Sequence, residues 1–77
     1  MITVTAFKLE HYRAIQAETN GMYHVAVQNY LHCLDSVQSV SDSGMTALFA
    51  QALERCYDKM GLFDKATGYA QLSLVKA

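Results

Sequence analysis

Apolar residues recur at helical spacing along four segments of the chain. Each segment carries the i, i+3, i+4 pattern of an amphipathic helix. The helices are expected at about residues 6–20, 22–38, 45–60 and from 62 almost to the C-terminus. The polar segment 39–44 is the one clear loop. The pattern predicts an all-α chain of four helices that form two antiparallel hairpins.

The expected helix ends rest on glycine and on small polar residues. Gly21 and Gly61 are expected to end the first and third helices, because glycine adopts the left-handed conformation that closes a helix. Thr5 is expected to cap the start of the first helix, and Asp42 or Ser43 the start of the third, because short polar side chains accept hydrogen bonds from the unpaired amides there.

The second predicted helix is apolar around most of its circumference. A helix of this kind is buried on more than one side, so we expect it to lie between the first and third helices. The fourth predicted helix is also rich in apolar residues for a terminal element. Repeat arrays usually end in a polar capping helix, and the sequence does not predict one here.

One motif occurs in both predicted hairpins. A glycine is followed after two residues by an aromatic ring and after three more by an alanine. The copies are Gly21, Tyr23, Ala26 and Gly61, Phe63, Ala66, at a constant offset of 40 residues (61 − 21 = 40). The small alanine lets the paired helices approach closely, because helix separation depends on the side chains at the contact.

The second hairpin resembles a tetratricopeptide repeat, in which two antiparallel helices over about 34 residues pack through small residues, with aromatics between them. The residues at the family's spacing are Leu53, Tyr57, Gly61, Phe63 and Ala66. In the first hairpin the corresponding residues are Ala14, Ala17, Gly21, Tyr23, Ala26 and Tyr30. The resemblance implies one all-α, TPR-like helical domain over residues 1–77, with repeat one at about 6–38 and repeat two at about 45–76.

The two copies depart from the family pattern at several positions. Their offset is 40 residues rather than about 34. Arg13 lies where the first copy should carry leucine, and Glu54 lies where a small residue is preferred. The proline that often follows the second helix is missing, with Gln38 near that place. Repeats of this length resemble the longer arrays of polarity adaptors and bacterial peptide-sensing regulators.

The resemblance implies a non-catalytic module, an adaptor, scaffold or co-chaperone, that binds a partner peptide or helix. Ligands of this family usually bind the concave surface formed by the first helix of each repeat. By position, that surface comprises Lys8, His11, Tyr12, Ile15, Thr19, Leu48, Gln51, Ala52, Arg55 and Lys59. Tyr12 is expected to face it, whereas the other matched tyrosines are expected in the core. The Lys and Asn pattern that clamps a peptide's terminal carboxylate in some relatives is not reproduced.

A second candidate surface is the flank of the fourth helix. Two repeats are fewer than the three or so usually needed for a stable stack. We therefore expect an apolar flank on this helix to stay exposed, formed by Phe63, Tyr69, Leu72 and Val75. This flank predicts homo-oligomerisation or docking onto a partner helix, so a structural subunit of a self-assembling complex is the main alternative function.

The first half of the chain also resembles the microtubule-interacting-and-trafficking domain, a three-helix bundle with similar packing. In that interpretation the segment 17–23 forms the first turn. The third helix of that family is rich in charged residues, and the segment 45–60 is a poor match. This resemblance remains a second alternative.

Charge and composition narrow the partner class. The formal net charge is −1 and the six Lys and Arg residues are scattered, so we expect no nucleic acid partner. No segment approaches the roughly 18 apolar residues of a membrane span, and the N-terminus does not have the pattern of a signal peptide. Two cysteines without a secretory signal favour free thiols and a cytoplasmic location.

Catalytic and metal-binding chemistry finds little support in the sequence. His24 and His32 lie eight residues apart, about 12 Å along a helix, which is too far for one metal ion without other ligands. Cys33 and Cys56 have apolar neighbours at helical spacing and are expected in the core. No nucleophile elbow or glycine-rich phosphate loop occurs. We expect no enzyme activity, no metal and no cofactor.

Overall fold

Residues 4–39 and 43–74, which the computed structural model describes, form four α-helices and no strand. The helices are α1 (Val4–Thr19), α2 (Tyr23–Ser39), α3 (Ser43–Lys59) and α4 (Phe63–Leu74). The predicted all-α architecture is confirmed over this part of the chain.

The two hairpin turns have the same geometry. Gly21 and Gly61 lie in the left-handed region, at φ values of 77° and 78°. In the first turn, the amide of Met22 donates to the carbonyl of Ala17 (2.8 Å) and the amide of Gly21 donates to the carbonyl of Glu18 (3.1 Å). The second turn repeats both bonds at its equivalent positions. These pairs satisfy the last carbonyls of α1 and α3, so glycine ends both helices as predicted.

Consecutive helices pack against one another in an antiparallel array. Glu10 in the first half of α1 contacts His32 in the second half of α2, so these helices run in opposite directions. The helix α2 contacts both α1 and α3, as its apolar circumference predicted, and α3 contacts α4. The Cα atoms extend over 33 × 30 × 15 Å. One dimension is about half of the other two, as in a layer of side-by-side hairpins.

The core lies between successive helices. Its largest fully buried side chains are those of Tyr30, Phe49 and Leu53. Ala26 and Ala66, the alanines of the repeated motif, are buried near the starts of α2 and α4. No buried polar or charged residue occurs among the residues whose burial the structure describes. Hydrophobic contact between neighbouring helices therefore holds the array together.

Three predicted boundaries were wrong by a few residues. The helix α1 begins at Val4, so Thr5 lies inside it rather than at its cap. Ser39 still belongs to α2, and Ser43 and Gly44 belong to α3, so the connection is shorter than the predicted loop 39–44. Polar residues and one glycine are tolerated in terminal helical turns, where they need not be buried. Asp42, the other candidate cap, lies outside the described residues.

Candidate partner-binding surface

The first helices of the two hairpins contact each other through side chains and run parallel. His11 of α1 contacts Phe49 of α3, and seven residues later Glu18 contacts Arg55. Both contacts advance in the same direction along the two helices, which establishes their parallel course. We call the side of α1 and α3 at these contacts the groove face. By helical position we assign to it Lys8, His11, Tyr12, Ile15, Glu18, Leu48, Gln51, Arg55 and Lys59.

Three large apolar side chains of the groove face are open to solvent. Tyr12 is 58% exposed, Ile15 45% and Leu48 44%. The Tyr12 hydroxyl accepts a hydrogen bond from the side-chain amide of Gln16 at 2.9 Å, one turn further along α1. Tyr12 and Ile15 lie three residues apart on one side of the helix. They are therefore available for contact with another molecule, unlike the tyrosines of the core.

His11 contributes to the floor of the groove face rather than to its rim. Its ring is half-buried and meets Phe49 edge to face, with centroids 4.9 Å apart and an interplanar angle of 75°. Phe49 is fully buried and also contacts the Tyr30 ring, with centroids 6.2 Å apart. Ala52, which was also expected on the concave surface, is buried at 3% exposure. These two residues support the surface from below.

A hydrogen-bonded cluster joins three helices beside the apolar residues. The Arg55 guanidinium donates from Nε to Glu18 Oε2 at 2.9 Å and from Nη2 to Glu18 Oε1 at 3.0 Å. The Tyr30 hydroxyl donates to Glu18 Oε1 at 2.7 Å. The cluster thus links α1, α2 and α3 through one carboxylate. Charge-assisted bonds with this two-pronged geometry are stronger and more directional than neutral ones.

Glu18 was missed by the sequence reasoning, which placed Arg55 on the concave surface without a partner. The side chain of Glu18 is 20% exposed and that of Arg55 is 55% exposed. The available signal was spacing, because Glu18 follows His11 by seven residues and Ile15 by three, which places it on their side of the helix. Its partner lies 37 residues away, so only the fold brings the two together.

The cluster shifts the titration of its members in consistent directions. The hydrogen bonds from Arg55 hold the pKa of Glu18 below its ordinary value, against the opposing effect of burial. The hydrogen bond to Glu18 raises the pKa of Arg55. Burial, followed by the bond to Glu18, raises the pKa of the Tyr30 hydroxyl. The arrangement therefore holds a carboxylate and a guanidinium in their charged forms and the phenol in its neutral form.

The flank predicted on α4 is mostly covered by the chain itself. Tyr69 stacks on Tyr57 of α3, with centroids 5.6 Å apart and an interplanar angle of 12°. Leu72 is half-buried against the core. Only Phe63, at 63% exposure, is open to solvent, and Val75 lies outside the described residues. The expected flank is therefore less exposed than its apolar sequence suggested, because Tyr69 contacts α3 and Leu72 packs partly against the core.

The cysteines and His32, considered above as candidate chemical groups, make structural contacts. Cys33 and Cys56 are buried free thiols, and burial raises the pKa of each to about 11. His32 is hydrogen-bonded through Nδ1 to Glu10 at 2.9 Å. Over the part of the chain that the structure describes, no group of three or more His, Cys, Asp or Glu residues is placed to hold a metal ion. The buried thiols are largely protonated near neutral pH and shielded from reagents.

Comparison with family models, curated proteins and solved structures finds no significant match to this chain. Within residues 4–39 and 43–74, no helix combines the length and apolar character needed to cross a membrane.

Proposed function

We propose that this protein is a non-catalytic, tetratricopeptide-like interaction module of the cytoplasm that binds a partner peptide or helix on its groove face. The observation that carries the proposal is the exposure of Tyr12, Ile15 and Leu48 on one surface built by two parallel helices. Apolar side chains grouped on one exposed surface are typical of sites that bind another protein. An adaptor or scaffold role follows from such a surface.

The setting of these side chains also supports the proposal. Each of the three leaves roughly half of its surface accessible, so an incoming apolar residue gains contact area without unfolding the module. Lys8 and Lys59 are exposed, and their helical positions assign them to the same face, where they provide a polar rim. The matching turns and the buried Ala26 and Ala66 are the features on which the family resemblance rests.

A peptide selection tests this function directly. Random peptides displayed on phage are selected against the wild-type protein, and their affinities are then measured by fluorescence polarisation. We expect the double variant Tyr12→Ala with Leu48→Ala to weaken binding by at least about tenfold, because aromatic and aliphatic anchors dominate peptide affinity. Arg55 is left intact, because its removal would also leave Glu18 without its main partner.

Phe63→Ala is the matched control, because Phe63 is an exposed aromatic like Tyr12 but begins α4. It should leave peptide affinity unchanged and helicity intact. Peptides that bind the wild-type protein and the double variant with equal affinity would contradict the proposal. Loss of binding in Phe63→Ala alone would move the site to the start of α4.

Self-association remains a second candidate, favoured by the exposure of Phe63 beside Leu62, which is 42% exposed. Sedimentation equilibrium of the wild-type protein at high micromolar concentration tests it. A mass of one chain, 8.6 kDa, would rule it out. A larger mass that Phe63→Ala reduces would support a structural subunit.

A further inference from the structure

The carboxylate of Glu18 is paired with the guanidinium of Arg55 on the groove face. Its two oxygens accept from Nε and Nη2 of Arg55 at 2.9 and 3.0 Å. This is the two-pronged arrangement that an arginine offers to any carboxylate. The Arg55 side chain is nevertheless 55% exposed, so another molecule reaches it from solvent. The contact is therefore internal but open to competition.

Apart from Glu18 and Asp58, which lies three residues after Arg55 on α3, the charged residues assigned to the groove face are positive. Lys8, Arg55 and Lys59 carry three cations, and Lys59 lies one turn beyond Arg55 on α3. Glu18 is the one carboxylate bonded to a groove cation among the described residues. The other glutamate of α1, Glu10, is held by His32 on the side facing α2. An acidic partner therefore complements the charge of this surface.

Tyr30 gives Glu18 a second partner. Its hydroxyl donates to Glu18 Oε1 at 2.7 Å from α2, independently of Arg55. If another carboxylate takes the guanidinium, Glu18 keeps this bond and is not left as a buried, unpaired charge. The cost of displacing Glu18 is therefore lower than it would be for a carboxylate held by Arg55 alone.

We propose that the groove face takes an acidic segment with bulky apolar residues, and that Glu18 competes with a carboxylate of that segment for Arg55. The inference rests on the proposed function and adds the chemistry of the partner and an internal control of its affinity. Apolar residues of the segment contact Tyr12, Ile15 and Leu48, and its carboxylates meet Lys8, Arg55 and Lys59. Glu18 lowers the affinity for acidic partners by occupying the central cation.

The test uses the tightest groove-dependent peptide from the phage selection and a copy in which Asp and Glu are replaced by Asn and Gln. We expect the selected peptide to be acidic and its neutral copy to bind at least about fivefold more weakly. Glu18→Gln should strengthen binding of the acidic peptide by about three- to tenfold, the range expected for freeing a partly exposed cation. Binding of the neutral copy should change little.

Asp58→Asn is the matched control, because it removes the same charge from an exposed position three residues after Arg55 without removing a partner of Arg55. Equal gains in Glu18→Gln and Asp58→Asn would indicate general electrostatics and overturn the competition. In the background of Arg55→Gln, Glu18→Gln should give no gain beyond that of Asp58→Asn. Circular dichroism verifies that each variant remains helical.

The outcomes distinguish a failure of this inference from a failure of the proposed function. Groove-dependent peptides that are neutral or basic would leave the proposed function intact and overturn the inference. Acidic peptides that bind wild type and Glu18→Gln equally would overturn the competition alone. Absence of any groove-dependent peptide would overturn both.

Discussion

The two hairpins have the same helix–turn–helix backbone. They differ at positions that are buried in one copy and more exposed in the other. At an offset of 40 residues, α2 aligns with α4. The aligned pairs are Val27 with Thr67, Tyr30 with Ala70, and Cys33 with Ser73. The α2 members are buried, whereas Thr67 is exposed and the other two α4 members are half-buried. The helix α2, which packs on two sides, has apolar or large side chains at these positions. The helix α4, which packs on one side, has smaller or more polar side chains there.

The first helices show the same change at the opposite edge. Leu53 and Cys56 of α3 are fully buried, and their counterparts on α1 are Arg13 and Gln16, which are exposed. The arginine that departs from the repeat pattern therefore lies on an outer edge, where leucine would face water. Polar residues at both edges reduce the apolar area that a further helix would have to cover. The exposed residues of α4 include Asp64, Lys65, Thr67 and Gln71 together with Phe63, so the outer side of this apolar helix is mixed in character.

The features common to both hairpins are the turn and the contact that follows it. Gly21 and Gly61 have nearly identical φ values, and Ala26 and Ala66 are both buried. These positions serve the inside of each hairpin, which is the same in both copies. Repetition is therefore kept where the environments match and is lost where one copy meets a neighbour and the other meets solvent.

The largest predicted effect separates a buried residue from its exposed counterpart. Leu53→Ala should lower the free energy of unfolding by about 2–5 kcal/mol, because it leaves a cavity in the core. Arg13→Ala should change it by about 0.5 kcal/mol or less, as expected for an exposed site. Urea unfolding followed by circular dichroism measures both. Equal losses would show that the two first helices are not distinguished by burial.

The turn glycines should respond alike. Gly21→Ala and Gly61→Ala should each lower the free energy of unfolding by about 1–2 kcal/mol, the cost of placing an L-residue in the left-handed region. A Cβ atom at either position meets no atom within 4 Å, so the cost is conformational rather than steric. Gly68→Ala is the control inside α4, and it should stabilise the protein by about 0.5–1 kcal/mol. Unequal losses in the free energy of unfolding, measured by thermal or urea unfolding, would show that the two turns are not equivalent.

The smallest effect concerns Glu18 and its counterpart Asp58. Glu18→Gln should lower the free energy of unfolding at neutral pH by about 1 kcal/mol, at the low end for a charged hydrogen bond because Arg55 is half exposed. The pKa of Glu18 is lower in the folded state than its ordinary value of 4.5. Its ionised form therefore stabilises the protein above that value, and this contribution is lost as the pH falls through the folded pKa.

Urea unfolding between pH 7 and pH 3 measures this contribution for wild type and both amide variants. The difference between wild type and Glu18→Gln should be constant above about pH 5 and shrink below the ordinary pKa of the carboxyl. Asp58→Asn should leave the stability near the wild-type value at neutral pH, because Asp58 is exposed. A difference for Glu18→Gln that grows as the pH falls would contradict the assigned direction.

Much of the fold could be predicted from local features of the sequence. The four helices follow from apolar spacing, and the ends of α1 and α3 follow from glycines whose left-handed conformation is a local preference. Tyr12, Ile15 and Leu48, which the repeat resemblance implied for the concave surface, are exposed, and their role in binding stays a prediction. The partner, the family and the absence of catalysis stay predictions.

The charge arrangement of the groove face could not be predicted in the same way. Glu18 and Arg55 are 37 residues apart, and no local pattern pairs one charged residue with another at that distance. The same limit applies to Tyr69 and Leu72, whose apolar character suggested an exposed flank. Their contacts with α3 and the core depend on the orientation of α4, which the period of that helix alone does not define.

The sequence by itself determined the elements and the turns, because helix periodicity and glycine conformation act between residues close along the chain. It also marked the two hairpins as copies through the offset of 40 residues. The tertiary structure decided which copy of each position is buried and which carboxylate reaches Arg55. Burial and ion pairing depend on which helices become neighbours, and that is settled only when the hairpins pack together.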